Sequence, residues 1–225
     1  MERLSILIPF QTDHGQRERV FHWIVQFYKT FLPNADICIG TSSPPFSKAK
    51  AVNDAAKKAR GTIFAIVDAD TLLNPSVFKS AMMLLQDAPW LIPYNNVFDL
   101  TAESTNRLIN EKPMWPLPKW LSFSIRKPLP VGGVNILRKT DFEKVGGFDE
   151  RFHGWGGEDD AFAAAMNTFS GQYVRLDEPL YHLWHPPAER QKNEHYENNR
   201  ALAFQYCRAQ GRKHKMKAII SSRVK

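Results

Sequence analysis

Residues 63–70 read IFAIVDAD, five apolar residues closed by two aspartates one position apart. An unbroken apolar run with no polar alternation marks a strand buried on both faces. Two carboxylates cannot follow it into that interior unpaired, so they mark the strand's end. The carboxyl ends of strands are where open α/β sheets bind ligands. On an extended backbone positions i and i+2 point to the same side, about 6–7 Å apart, so Asp68 and Asp70 are expected to face one crevice. One would hold a divalent cation, and the other would accept from a ribose hydroxyl or a metal-bound water. A pair of loop aspartates capping the next helix is the plainer account of the same residues.

Working outward, LSILIPF (4–10) and DICIG (36–40) repeat the buried-strand signal. Between them Val20, Ile24, Phe27, Tyr28 and Phe31 recur at spacings of three and four, a helix face. AKAVNDAAKKA (49–59) is helix-like as well. Strands alternating with helices imply a parallel sheet covered on both faces. Downstream, DADTLLNPSVFKSAMMLLQ (68–86) turns from loop to helix with Pro75 near its first turn, and WLIPY (90–94) is strand-like. Residues 111–130 hold five prolines and two tryptophans, Trp115 and Trp120, and read as a long loop that would close over a ligand or simply pack. Then come the strand-like GGVNILR (132–138), a short helix in TDFEKVGG (140–147), the helix EDDAFAAAMNTF (158–169) and the strand YVRLD (173–177). No internal repeat is present, nor a G-x-G-x-x-G or G-x-x-x-x-G-K-[ST] phosphate loop, which removes two routes to nucleotide binding.

The chain of 225 residues is 43% hydrophobic, ample for a packed core. Its formal net charge of +7 is a property of one end: residues 208–225 hold seven Lys and Arg and no acid. Such an end is either a solvated, frayed tail or a patch for anionic lipid or a polyanionic substrate. No run of eighteen apolar residues occurs and MERLSILIPF turns polar at Gln11, so the expected location is the cytoplasm or the inner face of a membrane. Two cysteines, Cys38 and Cys207, fit a reducing compartment.

Three further groups carry chemistry. Lys48 and Lys50 sit about twenty residues before the D-x-D pair and would neutralise phosphates as point charges, where ordinary surface lysines would be solvated. His182 and His185, in YHLWHPP, have spacing for a metal, and imidazole with carboxylate suits manganese better than magnesium. HGWGGEDD (153–160) gathers three glycines, a tryptophan and three acids. A helix start explains the acids through the macrodipole but not Gly156, Gly157 or Trp155. Close backbone approach to a ligand, a flat face for a sugar ring and a carboxylate placed to take a hydroxyl proton explain all of them.

In this order and spacing the segments resemble the GT-A nucleotide-sugar glycosyltransferases, in particular the β-1,4-galactosyltransferase-like group and its bacterial family 2 relatives. The group's F-N-R-A-K-x-x-N is matched by Phe46, Lys48, Ala49, Lys50 and Asn53, and its D-V-D by Asp68-Ala69-Asp70. Its G-G-V is matched by Gly132-Gly133-Val134, and G-W-G-G-E-D-D by Gly154 to Asp160 without a gap. The resemblance covers residues 4 to about 187. It implies an α/β fold of GT-A type, a Rossmann-like open mixed sheet flanked by helices. A catalytic domain over 1–187 would divide into a nucleotide-binding half (1–100) and an acceptor-binding half (101–187), followed by a basic helical extension (188–225).

The resemblance also implies an inverting, metal-dependent transfer from a UDP-sugar to a hydroxyl of a glycan or glycolipid. Manganese, with magnesium as the substitute, would be held by Asp70, His182 and His185. Pro9, Lys48, Lys50, Asp68 and Gly133 would bind the donor; Trp155, Gly156, Gly157 and Glu158 the acceptor. Asp159, backed by Asp160, would be the base. Two departures matter: Pro130-Val131 replaces the small aromatic that helps choose the donor sugar, and His182 stands where the animal enzymes have methionine. Competing readings are a sugar nucleotidyltransferase, for which IPFQTDHGQRER offers only Gly15, a fold-retaining binding protein without catalysis, and a transferase whose basic tail holds a nucleic-acid acceptor.

Overall fold

The computed structural model describes residues 2–154, 156–186 and 193–223. In chain order the elements are β1 (Leu4–Pro9), α1 (Gln16–Phe31), β2 (Asp36–Gly40), α2 (Lys48–Lys58), β3 (Ile63–Val67) and β4 (Thr71–Leu72). Next come α3 (Ser76–Leu84), β5 (Leu91–Ile92), β6 (Asn96–Leu100), α4 (Ala102–Ile109), β7 (Phe123–Ile125) and β8 (Val134–Arg138). The chain closes with α5 (Lys139–Lys144), α6 (Glu158–Phe169), β9 (Val174–Arg175), β10 (Pro179–His182), α7 (Tyr196–Ala209) and α8 (Lys213–Ser221).

The main sheet has the order β2-β1-β3-β8-β5-β9. β1 runs parallel to both β2 and β3, with Leu7 opposite Cys38 on one side and Ile66 on the other. Every residue of β1 and β3 is buried, as their unbroken apolar runs require. The expectation of a parallel sheet holds as far as β3. Then β8 pairs antiparallel with both β3 and β5, so the sheet is mixed. Helix α1 buries Val20, Ile24, Phe27 and Tyr28 as its periodicity demands, together with Phe21 and Trp23.

A second sheet, β4-β10-β6-β7, stands at the carboxyl end of β3. β10 lies parallel to β6 and antiparallel to β4, and β7 closes the edge against β6. One of its strands, β7, lies inside the proline-rich stretch that reads as loop. The segments WLIPY and YVRLD shrink to the two-residue strands β5 and β9. The D-x-D pair departs from its expected geometry too: the Thr71 amide donates to the Asp68 carbonyl at 3.1 Å, closing a turn. The two side chains therefore part toward different partners instead of pointing along one extended face.

The basic C-terminal segment is docked. Tyr206 of α7 is fully buried and donates to the Asp149 carboxylate at 2.8 Å. Arg223 donates to the carbonyls of Val145, Gly146 and Gly147 at 3.0–3.2 Å. Its solvated-tail reading gives way to a helical pair fastened to the body. Among the described residues no helix is long and apolar enough to cross a membrane.

Candidate active site

Asp70 comes from the turn after β3, His182 from the last position of β10, and His185 from the segment behind it. Backbone pairing brings them together: His182 lies opposite Thr71 on one side and Asp99 on the other, and the Leu183 amide donates to the Asp70 carbonyl at 2.8 Å. His185 Nε2 is 3.1 Å from one Asp70 oxygen and His182 Nε2 is 3.7 Å from the other. Each ring's Nδ1 faces an atom that can only accept, Asp99 Oδ1 at 2.9 Å for His182 and the Pro186 carbonyl at 2.9 Å for His185. Both Nδ1 atoms therefore carry the proton, and both Nε2 atoms are aimed at Asp70.

The three ligand atoms lie within 4.8 Å of one another. One carboxylate and two imidazoles oriented in this way fit a divalent cation of the manganese or zinc type. The electrostatics agree. Burial would raise the Asp70 pKa, but the hydrogen bond from His185 and the charges of His182, His185 and Arg17 hold it well below the usual carboxylate range. The hydrogen bond to Asp70 raises His185, against the effect of burial.

The second cluster is built by a zipper between two sequence-distant loops. Ser47, which caps α2 by accepting from the Lys50 amide, donates its hydroxyl to the Phe152 carbonyl at 2.7 Å. It bridges to Gly154, whose amide donates to the Phe46 carbonyl at 3.0 Å. That pairing brings Lys48 against α6. Lys48 Nζ sits 2.7 Å from Asp68 and 2.9 Å from Asp159, linking the two acids. Burial alone would lower the Lys48 pKa, but Asp159, Asp68 and Glu158 together drive it well above its ordinary value.

Three carboxylates around one ammonium leave excess negative charge. It is felt at Glu158, which accepts from the Gly156 amide at 3.1 Å and is pushed up to about 7 by burial and then by Asp159. Burial and Asp159 also raise Asp160. Gly157 caps α6 in the left-handed conformation (φ 89°), where a Cβ would stand 2.8 Å from the Ala203 methyl of α7. Beyond these glycines a cavity of about 380 Å³ opens, lined by Val131, Gly156, Asp159, Asp160, Tyr196 and Arg200.

The candidates from sequence thus fall into three groups. Asp70, His182 and His185 converge, and Asp68, Glu158 and Asp159 converge on Lys48. Pro9 is buried at the end of β1 opposite Gly40, and Gly133 accepts the Asp68 amide at 2.9 Å. Lys48 is enclosed by acids in this structure instead of standing open for phosphates. Lys50 makes its charge felt at His153, whose pKa falls through burial and then through this lysine. Trp155, expected against the acceptor, lies outside the described residues. Residues 187–192, within the expected 188–225 extension and its boundary, do so too.

Three residues escaped sequence reasoning. Asp99 accepts from His182 and is in turn gripped by Arg126. Arg17, in the first turn of α1, lies 3.9 Å from Asp70 and over the Phe46 ring at 5.8 Å. Its Nε is buried with no hydrogen-bond partner among the described residues. Nothing local in NVFDL or GQRER announces these roles, which arise from strand pairing and helix placement.

A family model described as the N-terminal domain of galactosyltransferase matches residues 121–186, the span that supplies Asp159 and both histidines. The chain has the GT-A fold. Mouse beta-1,4-galactosyltransferase 4 is 25% identical over 172 residues, 71% of this chain and 41% of that protein. The human protein of that name is 23% identical over 192 residues, 80% of this chain and 46% of its own length. The chain therefore spans less than half the length of the curated relatives it matches. Among solved structures, the catalytic domain of Drosophila beta-1,4-galactosyltransferase 7 in complex with xylobiose aligns with a TM-score of 0.53 at 16% identity, covering 89% of this chain and 80% of that one. A mannosyltransferase from Pyrobaculum calidifontis in complex with GDP-Man and Mn2+ aligns at 0.54 and 15%, covering 98% and 68%. At these identities the likeness shows the fold.

Proposed function

We propose that the protein is a metal-dependent, inverting glycosyltransferase that moves a sugar from a UDP-sugar to a hydroxyl of a glycan or glycolipid. One observation carries this reading: Lys48 joins Asp68, next to the metal-type cluster, to Asp159 on the wall of a cavity. The base and the leaving-group side of the reaction are thereby held at a fixed relation, as a single displacement requires. Asp70, His182 and His185 would hold Mn2+, which when bound offsets the charge that develops on a departing diphosphate.

The chain's own groups do the rest. Asp159 takes the proton from the acceptor hydroxyl, and Lys48 keeps its carboxylate aimed. The Asp68 carboxylate and the Gly133 backbone border the donor. Tyr196, Arg200 and Asp160 shape the acceptor side of the cavity, with Gly156 letting the backbone approach. The Arg17 Nε, near Asp70 but without a hydrogen-bond partner among the described residues, offers a donor to the diphosphate.

The test is transfer or hydrolysis of UDP-sugars with and without Mn2+, joined to calorimetry of UDP binding. Asp159→Asn is expected to lower kcat by about 10²-fold or more while UDP binding persists. Asp70→Ala is expected to abolish metal-dependent UDP binding. Unchanged turnover in Asp159→Asn removes the base, and a wild-type protein indifferent to UDP and Mn2+ removes the reaction.

A further inference from the structure

A histidine ligand must keep its proton on the nitrogen remote from the metal and hold its ring in one plane, a demand that methionine at the same position never makes. In this chain His182 meets it through two residues from neighbouring strands. Strands β10 and β6 run parallel with His182 opposite Asp99, so the carboxylate sits beside the ring, 2.9 Å from Nδ1. A carboxylate accepts only, which fixes the proton on Nδ1 and leaves Nε2 to face Asp70. Asp99 is itself gripped at both oxygens by the Arg126 guanidinium, Nε to Oδ2 at 3.0 Å and Nη2 to Oδ1. Arg126 follows β7 directly, and its amide donates to the Val97 carbonyl at 2.9 Å. β10, β6 and the residue just after β7 thus present His182, Asp99 and Arg126 in a line that ends at the metal-type cluster.

We propose that Asp99, clamped by Arg126, is a positioning residue that makes His182 an Nε2 metal ligand, so that the edge strand of the proline-rich stretch helps to set metal affinity. This rests on the reading of Asp70, His182 and His185 as a metal site. Outer partners of ligating histidines fix the tautomer and ring orientation, and losing one typically weakens metal binding 10- to 100-fold.

The test needs no turnover: Mn2+ alone is titrated into the full chain, and the free ion is read by electron paramagnetic resonance. Asp99→Asn is expected to weaken Mn2+ binding about tenfold or more, because a side-chain amide can turn its NH2 to the ring and favour the wrong tautomer. Arg126→Gln, which leaves Asp99 in place but unclamped, is expected to cost severalfold. The same two changes made on His182→Met are expected to cost no more than about two- to threefold, since a thioether has no N–H to hold. Equal losses on both backgrounds would show Asp99 acting through the fold or through net charge, and would overturn the proposal. So would unaltered Mn2+ binding in Asp99→Asn. If the wild-type chain itself takes up no Mn2+, the metal reading fails first, and the two failures are told apart by that control. Should Asp99→Asn not fold, the Arg126→Gln pair decides by the same comparison.

Discussion

Gly132 is a glycine for the sake of another residue's side chain. A Cβ there would overlap the Asp159 carboxylate, yet Gly132 is not among the glycines with positive φ, so alanine brings no backbone strain. The obstructing atoms are the tip of a side chain that can swing aside. Gly132→Ala is therefore expected to leave Tm within a few degrees of wild type while kcat/KM falls about 100-fold, the scale of loss for a reacting group displaced by about 1 Å. Gly133→Ala is the contrast, with φ at 86° and Leu180 within 2.8 Å of the added carbon, and it should lower Tm as well. Undiminished activity in Gly132→Ala would detach Asp159 from the chemistry. At this scale the sequence singles out residues whose own type suits the proposed chemistry, as with Asp70, Asp159, His182 and His185, and the structure gathers Asp70, His182 and His185 in one cluster and sets Asp159 beside Lys48. It is silent for Asp99, Arg126 and Arg17, whose significance is a register or a helix start and appears only when two distant segments meet.

Among elements, β1, α1, α2 and β3 are readable because each buries a continuous run or a full stripe, and β2, half-buried at the sheet's edge, is readable from its short apolar run. The second sheet was not readable: its strands are two to five residues long, and β7 is exposed at all three positions. Hydrophobic pattern has little to register in such strands, and hydrogen bonding to neighbours decides them. The C-terminal helices misled for a related reason. The charges of α7 and α8 face solvent, as a frayed tail's would, while Asn199, Ala203, Tyr206 and Ala209 form a buried stripe at spacings of four, three and three. Tyr206 is the anchor. Its hydroxyl serves Asp149, a side chain only 1% exposed that also pairs with Arg151 and lies 3.6 Å from Arg223. Tyr206→Phe keeps the ring's packing and removes one donor from a buried carboxylate, which costs about 1–3 kcal/mol. Urea unfolding should show that loss with an unchanged m-value. A midpoint equal to wild type would mean that Arg151 and Arg223 alone satisfy Asp149.

At the scale of the whole molecule, crowding acids into the crevice opposes stability near neutral pH. Glu158, ordinarily near 4.5, titrates at about 7 in the folded chain, so the folded form binds this proton more tightly than the unfolded form between those values. Its contribution is complete below about pH 4.5 and is lost as pH rises to 7. His185, raised by its bond to Asp70, acts in the same direction. Asp36 and Asp99 act the other way: each is held at about 2, and burial, which would raise it, is outweighed by hydrogen bonds and charge from Arg60 for Asp36 and from His182 and Arg126 for Asp99. What they contribute is present above about pH 4 and lost as pH falls toward 2. Tm measured in chelator is therefore expected to peak between about pH 4 and 5 and to decline toward 7. Glu158→Gln should flatten part of the decline between 4.5 and 7, leave the parts owed to Asp68, Asp160 and, above about 6.5, His185, and keep the acid limb unchanged. A variant whose Tm falls between those pH values as steeply as wild type would place the proton elsewhere in the cluster, on Asp68 or Asp160, and would move the electrostatic strain of the site away from Glu158.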